Sequence, residues 1–305
     1  MRVFVAGASG AIGARLVPQL VDRGHEVIGT ARSPDRAERL HALGAEPIIL
    51  DLLDPPAVHK AVVDTKPDAI VHQATALAGL SDFRHFDRSF AQTNRLRTDG
   101  TDALLAAARQ AGVRRLVAQS FASHRYARQG GPVKTEQHPL DPTPPQAMRQ
   151  TDAAMAYLDQ AVTDAGGIAL RYGNFYGDPD DGLVQAVRTR KFPIVGSGGG
   201  VWSFVHLHDA AAATVLALDH DGPSIYNIVD DEPAPTRVWL PALARIVGAK
   251  PPQRFPRPLA RLFAGEAPVV MGTESRGASN AKAKRELGWT LRYPSWRQGF
   301  ADAYT

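Results

Sequence analysis

The chain has 305 residues, of which 44% are hydrophobic and 22% are charged, as in an ordinary globular protein. Its 35 Lys and Arg residues against 31 Asp and Glu residues give a net charge of +4, too small and too scattered to indicate nucleic-acid binding. The absence of cysteine excludes disulfides, zinc–thiolate sites and cysteine nucleophiles. No apolar run approaches the ~18 residues of a membrane span, and no secretory leader is visible, so we expect a cytoplasmic protein without a membrane partner.

Residues 1–24 predict a strand, a glycine-rich turn and a helix. Val3–Val5 form an apolar run that suits a buried strand, and glycines at 7, 10 and 13 follow it. Glycines allow a sharp turn and close approach to a pyrophosphate, and a helix N-terminus attracts that anion. The pattern therefore predicts a dinucleotide site. Its expected pyrophosphate contacts are Gly7, Ser9, Gly10, Ala11, Ile12 and Gly13.

Residues 25–32 predict the second strand, whose end would reach the adenosine ribose of the dinucleotide. The segment Thr30-Ala31-Arg32-Ser33 offers a guanidinium and hydroxyls but no carboxylate. An acidic residue there favours NAD, whereas a cation suits the 2′-phosphate of NADP. We therefore expect NADP, held by Arg32 and Ser33, with NAD as the alternative. The other interpretation of Arg32 is a solvated loop charge.

The next segments alternate between strand and helix patterns. Apolar runs predict strands at 47–50, 68–72, 113–120 and 167–172. Helical spacing predicts helices at 35–43, 94–112 and 146–164. This alternation is typical of an α/β fold, a Rossmann-type doubly wound parallel sheet that binds ligands at its carboxyl edge.

Several cofactor contacts are expected at that edge. Asp51 and Leu52 could hold the adenine amino group, or an aspartate there could cap the helix that begins near Asp54. Both interpretations can be correct if one aspartate binds the adenine and another caps the helix. The remaining expected cofactor contacts are Gln73, Ala74, Thr75, Ser120 and Asn174. Beyond them, Asp209 is predicted to cap a helix at 210–218, and residues 249–278 show weak periodicity.

Short motifs spread along nearly the whole chain match the motifs of one protein family, and they occur in the same order. They are Gly7–Gly13, Asp51-Leu52, Gln73-Ala74, Asn94 with Gly100-Thr101, and 170–177, 203–209, 226–232 and 281–289. In these segments the chain resembles the extended or atypical short-chain dehydrogenases/reductases, the NAD-dependent epimerase/dehydratase-like proteins. The resemblance implies a Rossmann domain at 1–172, completed by about 203–230. It implies a small α/β substrate-binding subdomain made of 173–202 and 231–305. It also implies a small-molecule substrate and a homodimer through helices at roughly 94–111 and 146–164.

The catalytic positions depart from the family pattern. The family carries a Ser or Thr after the fifth strand and a Tyr-x-x-x-Lys pair at the start of the next helix. The resemblance places Ala122, Met148 and Asp152 at these three positions. A thioether has no proton to give, and a carboxylate reverses the charge of the lysine, which in the family favours the tyrosinate and holds the nicotinamide ribose.

Three functions remain open. The first is NADP-dependent hydride transfer at a carbonyl or hydroxyl carbon of a small metabolite, with another proton donor. The second is cofactor-assisted epimerisation, isomerisation or dehydration of a sugar-nucleotide-like substrate, and the third is an NADP-binding sensor or scaffold. The candidate catalytic residues for the first are Ser123, His124, Tyr126 and Asp152, with Tyr176 as a further one. His124 can titrate near neutral pH; a loop histidine without function and a structural Tyr126 are the alternatives.

The expected substrate contacts are Met148, Phe175, Tyr176, Trp202 and Arg254. Arg254 lies in an arginine-rich loop, and in the family such arginines often hold a substrate phosphate or nucleotide. Core packing is the alternative for the aromatic residues, and solvation is the alternative for Arg254. His206 and His208 share a strand face, but without further ligands at suitable spacing we expect no metal site.

Overall fold

The computed structural model describes residues 1–77, 84–178 and 182–305 of the chain. Its strands are β1 (Arg2–Ala6), β2 (Glu26–Ala31), β3 (Glu46–Ile49), β4 (Ala69–His72), β5 (Arg115–Phe121), β6 (Val133–Lys134), β7 (Ile168–Tyr172), β8 (Asn174–Tyr176), β9 (Ile194–Val195), β10 (Val201–Trp202), β11 (Phe204–His206), β12 (Ser224–Ile228), β13 (Ala234–Pro235), β14 (Arg254–Phe255) and β15 (Gly277–Ala278). Its helices are α1 (Gly13–Asp22), α2 (Pro34–Ala42), α3 (Pro55–Thr65), α4 (Phe86–Ser89), α5 (Ala91–Arg95), α6 (Thr101–Ala111), α7 (Arg149–Asp164), α8 (Gly182–Arg188), α9 (Leu207–Ala217), α10 (Thr236–Ile246), α11 (Arg257–Ala264), α12 (Glu266–Thr273), α13 (Ala281–Leu287) and α14 (Trp296–Tyr304).

A seven-stranded sheet organises the fold, in the order β12-β7-β5-β4-β1-β2-β3. All neighbouring strands in it are parallel. In the register of β1, Val3 lies opposite Val27 on one side and Ala69 on the other. Parallel strands are covered on both faces, which is why these strands are nearly continuous apolar runs. The predicted doubly wound parallel sheet is confirmed.

Each face of the sheet buries its own apolar layer. Val3 and Val5 point to one face and pack with Leu16 of α1, whereas Phe4 points to the other face and packs with Leu104 of α6. Successive strand residues alternate in this way because the backbone is pleated. Full burial of such a side chain stabilises the fold by roughly 1.5–3 kcal/mol.

A third, aromatic core lies among the elements that follow β7. Trp202 and Trp239 are stacked obliquely with ring centroids 5.0 Å apart, and Phe204 meets Trp239 edge-on at 5.2 Å. Trp296 and Phe300 of α14 complete this core. The chain after residue 172 therefore builds an apolar unit of its own beside the carboxyl edge of the sheet.

The predicted helices at 94–112 and 146–164 differ in detail from the observed ones. The first is interrupted by a π-helical turn at Leu96–Gly100, between α5 and α6. Such a turn inserts extra backbone into a helix and leaves no periodicity signal that a sequence would show. The second helix opens with a 3-10 turn at Gln146–Met148, because Pro145 holds an extended conformation (φ −51°, ψ 142°).

One further sequence expectation was wrong, and two regions show structure that the sequence did not indicate. Asp209 does not cap its helix, because α9 begins at Leu207 and the His206 side chain accepts from His208 N. Residues 201–206 hold two short strands, β10 and β11, which pair with different partners. Residues 249–278 contain α11 and α12, whose short length hid their periodicity. Within the described ranges, no helix combines the length and apolar character needed to cross a membrane.

Asp209 instead joins the C-terminal segment to α9. Its carboxylate is 1% exposed and accepts hydrogen bonds from the backbone N–H groups of Arg292 (2.9 Å) and Tyr293 (2.8 Å). We expect Asp209→Ala to lower the free energy of unfolding by about 3 kcal/mol, because two part-buried backbone donors lose a buried, charged acceptor. Urea unfolding followed by circular dichroism would show this as a lower midpoint with an unchanged slope.

Asp219→Ala is the matched control. Its ion pair with Arg23 is exposed and 3.5 Å long, so the expected change is below ~0.5 kcal/mol. Equal midpoint shifts in the two variants would contradict this role for Asp209.

Candidate active site

The glycine turn leaves its backbone open to a ligand. Gly7 has a φ of +85°, and a Cβ there would lie 2.6 Å from Ala74 Cα; a Cβ at Gly13 would lie 2.0 Å from Ala8 O. The fold itself therefore requires these two glycines. Gly10 is different: it is exposed, and a Cβ there would approach only Gly7 O, at 3.3 Å. A glycine that internal packing does not demand, just before the N-terminus of α1, fits a close-lying pyrophosphate.

The end of β2 lies beside this turn. Thr30 is buried, and its Oγ1 accepts a hydrogen bond of 2.9 Å from Gly7 N, which joins β2 to the turn. Arg32 is exposed, and Ser33 is half-buried at the start of α2. A guanidinium and a hydroxyl thus stand where the adenosine ribose of a dinucleotide on the turn would end.

The structure separates the two aspartates after β3. Asp54 caps α3 by accepting from Ala57 N at 3.2 Å. Asp51 is exposed and accepts from Leu53 N at 3.0 Å, while Leu52 is buried. Asp54 therefore takes the capping role, and the carboxylate of Asp51 stays exposed.

Polar groups also follow β4. Gln73 is buried and donates from Nε2 to the Tyr172 hydroxyl at 3.1 Å, while its Oε1 has no hydrogen-bond partner in the described part of the chain. Ala74 and Thr75 are half-buried beyond it. Asn174, predicted at the same edge, donates to Ser203 O at 3.0 Å.

A buried histidine–carboxylate pair lies where β5 ends. His124 is in the 3-10 turn Ser123–Arg125, and its Nε2 lies 3.1 Å from Oδ1 of Asp152 in the first turn of α7. The His124 and Asp152 side chains are only 3% and 14% exposed. The imidazole packs between Phe86 and Phe121, with ring centroids 5.8 and 5.6 Å away. The structure thus brings together two of the candidate catalytic residues.

The second imidazole nitrogen of His124, Nδ1, is available for a further hydrogen bond. Its Nδ1 is buried and has no hydrogen-bond partner within residues 1–77, 84–178 and 182–305. With Nε2–H donating to the carboxylate, Nδ1 is an acceptor in the neutral ring and a donor in the imidazolium. An unmade buried hydrogen bond costs ~1–3 kcal/mol, so such an atom fits a site that a bound molecule completes.

Two residues that the sequence resemblance places at the family's hydroxyl positions, Met148 and Ala122, are apolar and buried. Met148 is fully buried and packs with Phe86 and Ala267. Ala122 is fully buried and packs with Tyr126. Neither residue has a proton to exchange, so proton transfer at this edge needs another group. The side chain of Ser123 lies outside the described part of the structure.

Tyr126 belongs to a structural network rather than to the open edge. It is fully buried, its hydroxyl donates to Asn227 Oδ1 at 2.6 Å, and Arg171 Nη1 donates to it at 3.3 Å. Burial raises the pKa of the Tyr126 hydroxyl. We therefore leave Tyr126 out of the proposed chemistry. Ser120 is also buried, and its Oγ accepts from Arg125 Nη1 at 3.1 Å.

Buried ion pairs continue from this edge along α7. Asp159 Oδ2 lies 3.1 Å from Arg125 Nη2 and 2.8 Å from Arg171 Nη2. Asp152 and Asp159 share a face of α7, because residues seven apart lie two helical turns from each other. Sequence reasoning missed Asp159 and its two arginines; the available signal was an arginine inside the apolar strand β7.

The expected substrate residues separate into three groups. Phe175 is half-buried and lies 5.3 Å from Tyr172, ring to ring. Tyr176 and Trp202 instead lie inside the aromatic core, where Trp202 Nε1 donates to Met271 O at 2.9 Å. This placement corrects the two expectations, since apolar packing already occupies those rings. Arg254 is exposed on β14, which pairs with β9.

Comparisons with known proteins agree with this geometry. The model of the NAD-dependent epimerase/dehydratase family matches residues 3–229. The chain is 43% identical to a 3-diazoavenalumate denitrifying reductase of a Streptomyces species, over 98% of this chain and 99% of that protein. It is 30% identical to the 4-hydroxy-2-methyl-3-oxo-4-farnesyl-3,4-dihydroquinoline-1-oxide ketoreductase of Stigmatella aurantiaca, over 82% of this chain and 74% of that protein.

A solved structure shows the same fold. The UDP-glucose 4-epimerase of Thermus thermophilus, in complex with NAD, is 27% identical and superposes with a TM-score of 0.75, covering 100% of this chain and 98% of that one. The relatives named here are reductases and an epimerase, and the site offers the turn that a nicotinamide dinucleotide requires. The chain therefore belongs to the NAD-dependent epimerase/dehydratase family of the extended short-chain dehydrogenases/reductases.

Proposed function

We propose that this protein is an NADP-dependent reductase that transfers a hydride to a small organic substrate. The observation that carries the proposal is the buried His124–Asp152 pair, which presents an unpartnered Nδ1 at the carboxyl edge of the sheet. The named reductases among the relatives support it. Bound at this edge, the reduced nicotinamide supplies the hydride.

His124 is proposed to handle the proton of that reaction. As an imidazolium it donates from Nδ1 to a substrate oxygen while the adjacent carbon receives the hydride, so a carbonyl becomes an alcohol and the imidazole becomes neutral. Asp152 holds Nε2–H and stabilises the imidazolium between turnovers. A positioned acid of this kind contributes typically ~10²–10⁴-fold in rate. Met148, without a proton, shapes the apolar wall beside Phe86.

We also propose a cytoplasmic homodimer through α5, the π-helical turn and α7. A cleft of about 500 Å³ lies on this surface, with Asn94, Gln150, Ala153 and Tyr157 on its walls. Tyr157 is 42% exposed there, and its hydroxyl donates to Asp102 Oδ1 at 2.6 Å. In the dimer, α5 and α7 of one copy would pack against the same helices of the other copy and bury this surface.

The first prediction concerns the choice of cofactor. We expect NADPH to bind at least ~10-fold more tightly than NADH, because Arg32 pairs with the 2′-phosphate. Arg32→Ala should abolish that preference while NADH affinity stays the same. Arg39→Ala, an exposed arginine further along α2, is the matched control and should keep it. Equal affinities of the unchanged protein for the two cofactors would contradict this choice.

The second prediction concerns proton transfer. We expect His124→Gln to lower kcat about 100-fold, and Asp152→Asn to lower it less, with NADPH affinity unchanged. NADPH absorbance, followed against a panel of ketones and quinones, measures both. His138→Gln, in an exposed loop, is the control and should leave kcat unchanged.

An unchanged kcat in His124→Gln would show that His124 does not transfer the proton. Tight NADPH binding without oxidation by any acceptor would favour a sensor.

A second candidate reaction is reductive loss of dinitrogen from an aromatic diazonium compound. It is favoured by the relative named as a denitrifying reductase and by the apolar Met148 at the family's tyrosine position. In this reaction the ring C–N bond breaks, N2 leaves, and the hydrogen delivered by NADPH takes its place on the ring carbon. Diazonium and NADPH thus give arene, N2 and NADP⁺, with no net proton required from the protein.

The two candidates differ in their products. With a doubly ¹⁵N-labelled benzenediazonium salt and NADPH, this second reaction releases labelled N2 in equal amount to the NADPH oxidised, which headspace mass spectrometry quantifies. The rate without protein is subtracted, since diazonium salts also react slowly on their own. Release at the background rate, together with turnover of a ketone or quinone, would exclude dinitrogen loss and leave carbonyl reduction.

A further inference from the structure

Arg97 is a buried cation that no part of the proposed chemistry has used. It lies in the π-helical turn Leu96–Gly100 and is 5% exposed. The turn is fixed at the carboxyl edge of the sheet, because Leu96 O lies 3.1 Å from Nε2 of His72, the last residue of β4. The turn therefore places this long charged side chain near the edge where the cofactor and substrate are proposed to meet.

The guanidinium of Arg97 lacks adequate partners within the described residues. Its Nη1 is 3.5 Å from Asn94 Oδ1, at the limit of a hydrogen bond. Its Nε is buried with no acceptor, and no described carboxylate oxygen lies within 4.0 Å of it. Burial and the neighbouring Arg125 lower the pKa of Arg97 to about 10. A buried charge left this way is costly, which indicates that something outside the chain pairs with it.

The charges around Arg97 do not balance. Arg125 and Arg171 share Asp159, and Asp152 holds His124. The charged side chains that influence the Arg97 guanidinium electrostatically are Arg125, Asp159 and Asp152. With His124 neutral, the cluster therefore holds three guanidinium groups against two carboxylates, an excess of one positive charge, and the imidazolium of the proposed reaction adds a second. A neutral ribose hydroxyl could accept a hydrogen bond from Arg97, but only an anion would remove this excess.

We infer that Arg97 binds an anionic oxygen group of the substrate, a carboxylate or a phenolate, beside the His124–Asp152 pair. This inference rests on the proposed function, because it assigns the substrate to that edge. A guanidinium matches a carboxylate with paired N–H···O bonds, which also fix its orientation. The substrate class is thus a small organic acid or an ionised phenol whose reducible group lies near His124.

Binding of matched acids and amides tests this inference without turnover. With NADP⁺ present, tryptophan fluorescence is titrated with benzoate, cinnamate and 4-hydroxybenzoate and with the three corresponding amides. We expect at least one acid to bind 10-fold or more tightly than its amide. Arg97→Met should remove that ratio and Arg97→Lys should keep part of it. Arg95→Met, whose exposed side chain pairs with Asp99, should leave it unchanged. If no acid is preferred, or if Arg97→Met keeps the preference, the inference is wrong.

Stability separates a ligand-binding arginine from a structural one. Without Arg97 the cluster would hold two guanidinium groups against two carboxylates, so Arg97→Met should leave the urea midpoint of the ligand-free protein unchanged or higher. A large drop in the midpoint would show that Arg97 serves the fold and would overturn the inference. Because neither assay consumes NADPH, failure here is distinguishable from failure of hydride transfer.

Discussion

The arrangement of buried charges between the end of β5 and α7 determines how this protein can work. Asp159 is shared by Arg125 and Arg171, which fixes α7 against the sheet. Two helical turns nearer the N-terminus of α7, on the same face, Asp152 holds His124 at the carboxyl edge. Burying so many ionised groups is expensive unless each is paired, and breaking one pair would leave its partner charged in an apolar surrounding.

The resemblance to the family implies Met148 and Asp152 at the positions of its Tyr and Lys, and the buried pair suits that arrangement. A carboxylate would repel the negative charge of a neighbouring tyrosinate, but the carboxylate of Asp152 lies against His124, and Met148 packs among apolar residues. The cofactor turn, by contrast, follows the family pattern.

The sequence could predict the sheet and the cofactor turn, because both depend on local patterns. Apolar runs mark buried parallel strands, and the spacing of Gly7 and Gly13 reflects backbone contacts that no side chain would permit. The His124–Asp152 contact joins residues far apart in the chain, so sequence reasoning could name both as candidates but could not pair them. Arg97 was missed altogether, because a π-helical turn carries no periodicity signal and redirects the side chain.

Isotope transfer from the cofactor tests most directly whether this edge carries out hydride transfer. NADPH deuterated at the reactive C4 position is supplied with the acceptor that turns over, and the product is examined by mass spectrometry. If the His124–Asp152 edge supports reduction, deuterium enters the product in equal amount to the NADPH oxidised, and His124→Gln slows its appearance. Product without deuterium, or deuterium retained on the cofactor while the substrate is converted, would contradict net hydride transfer.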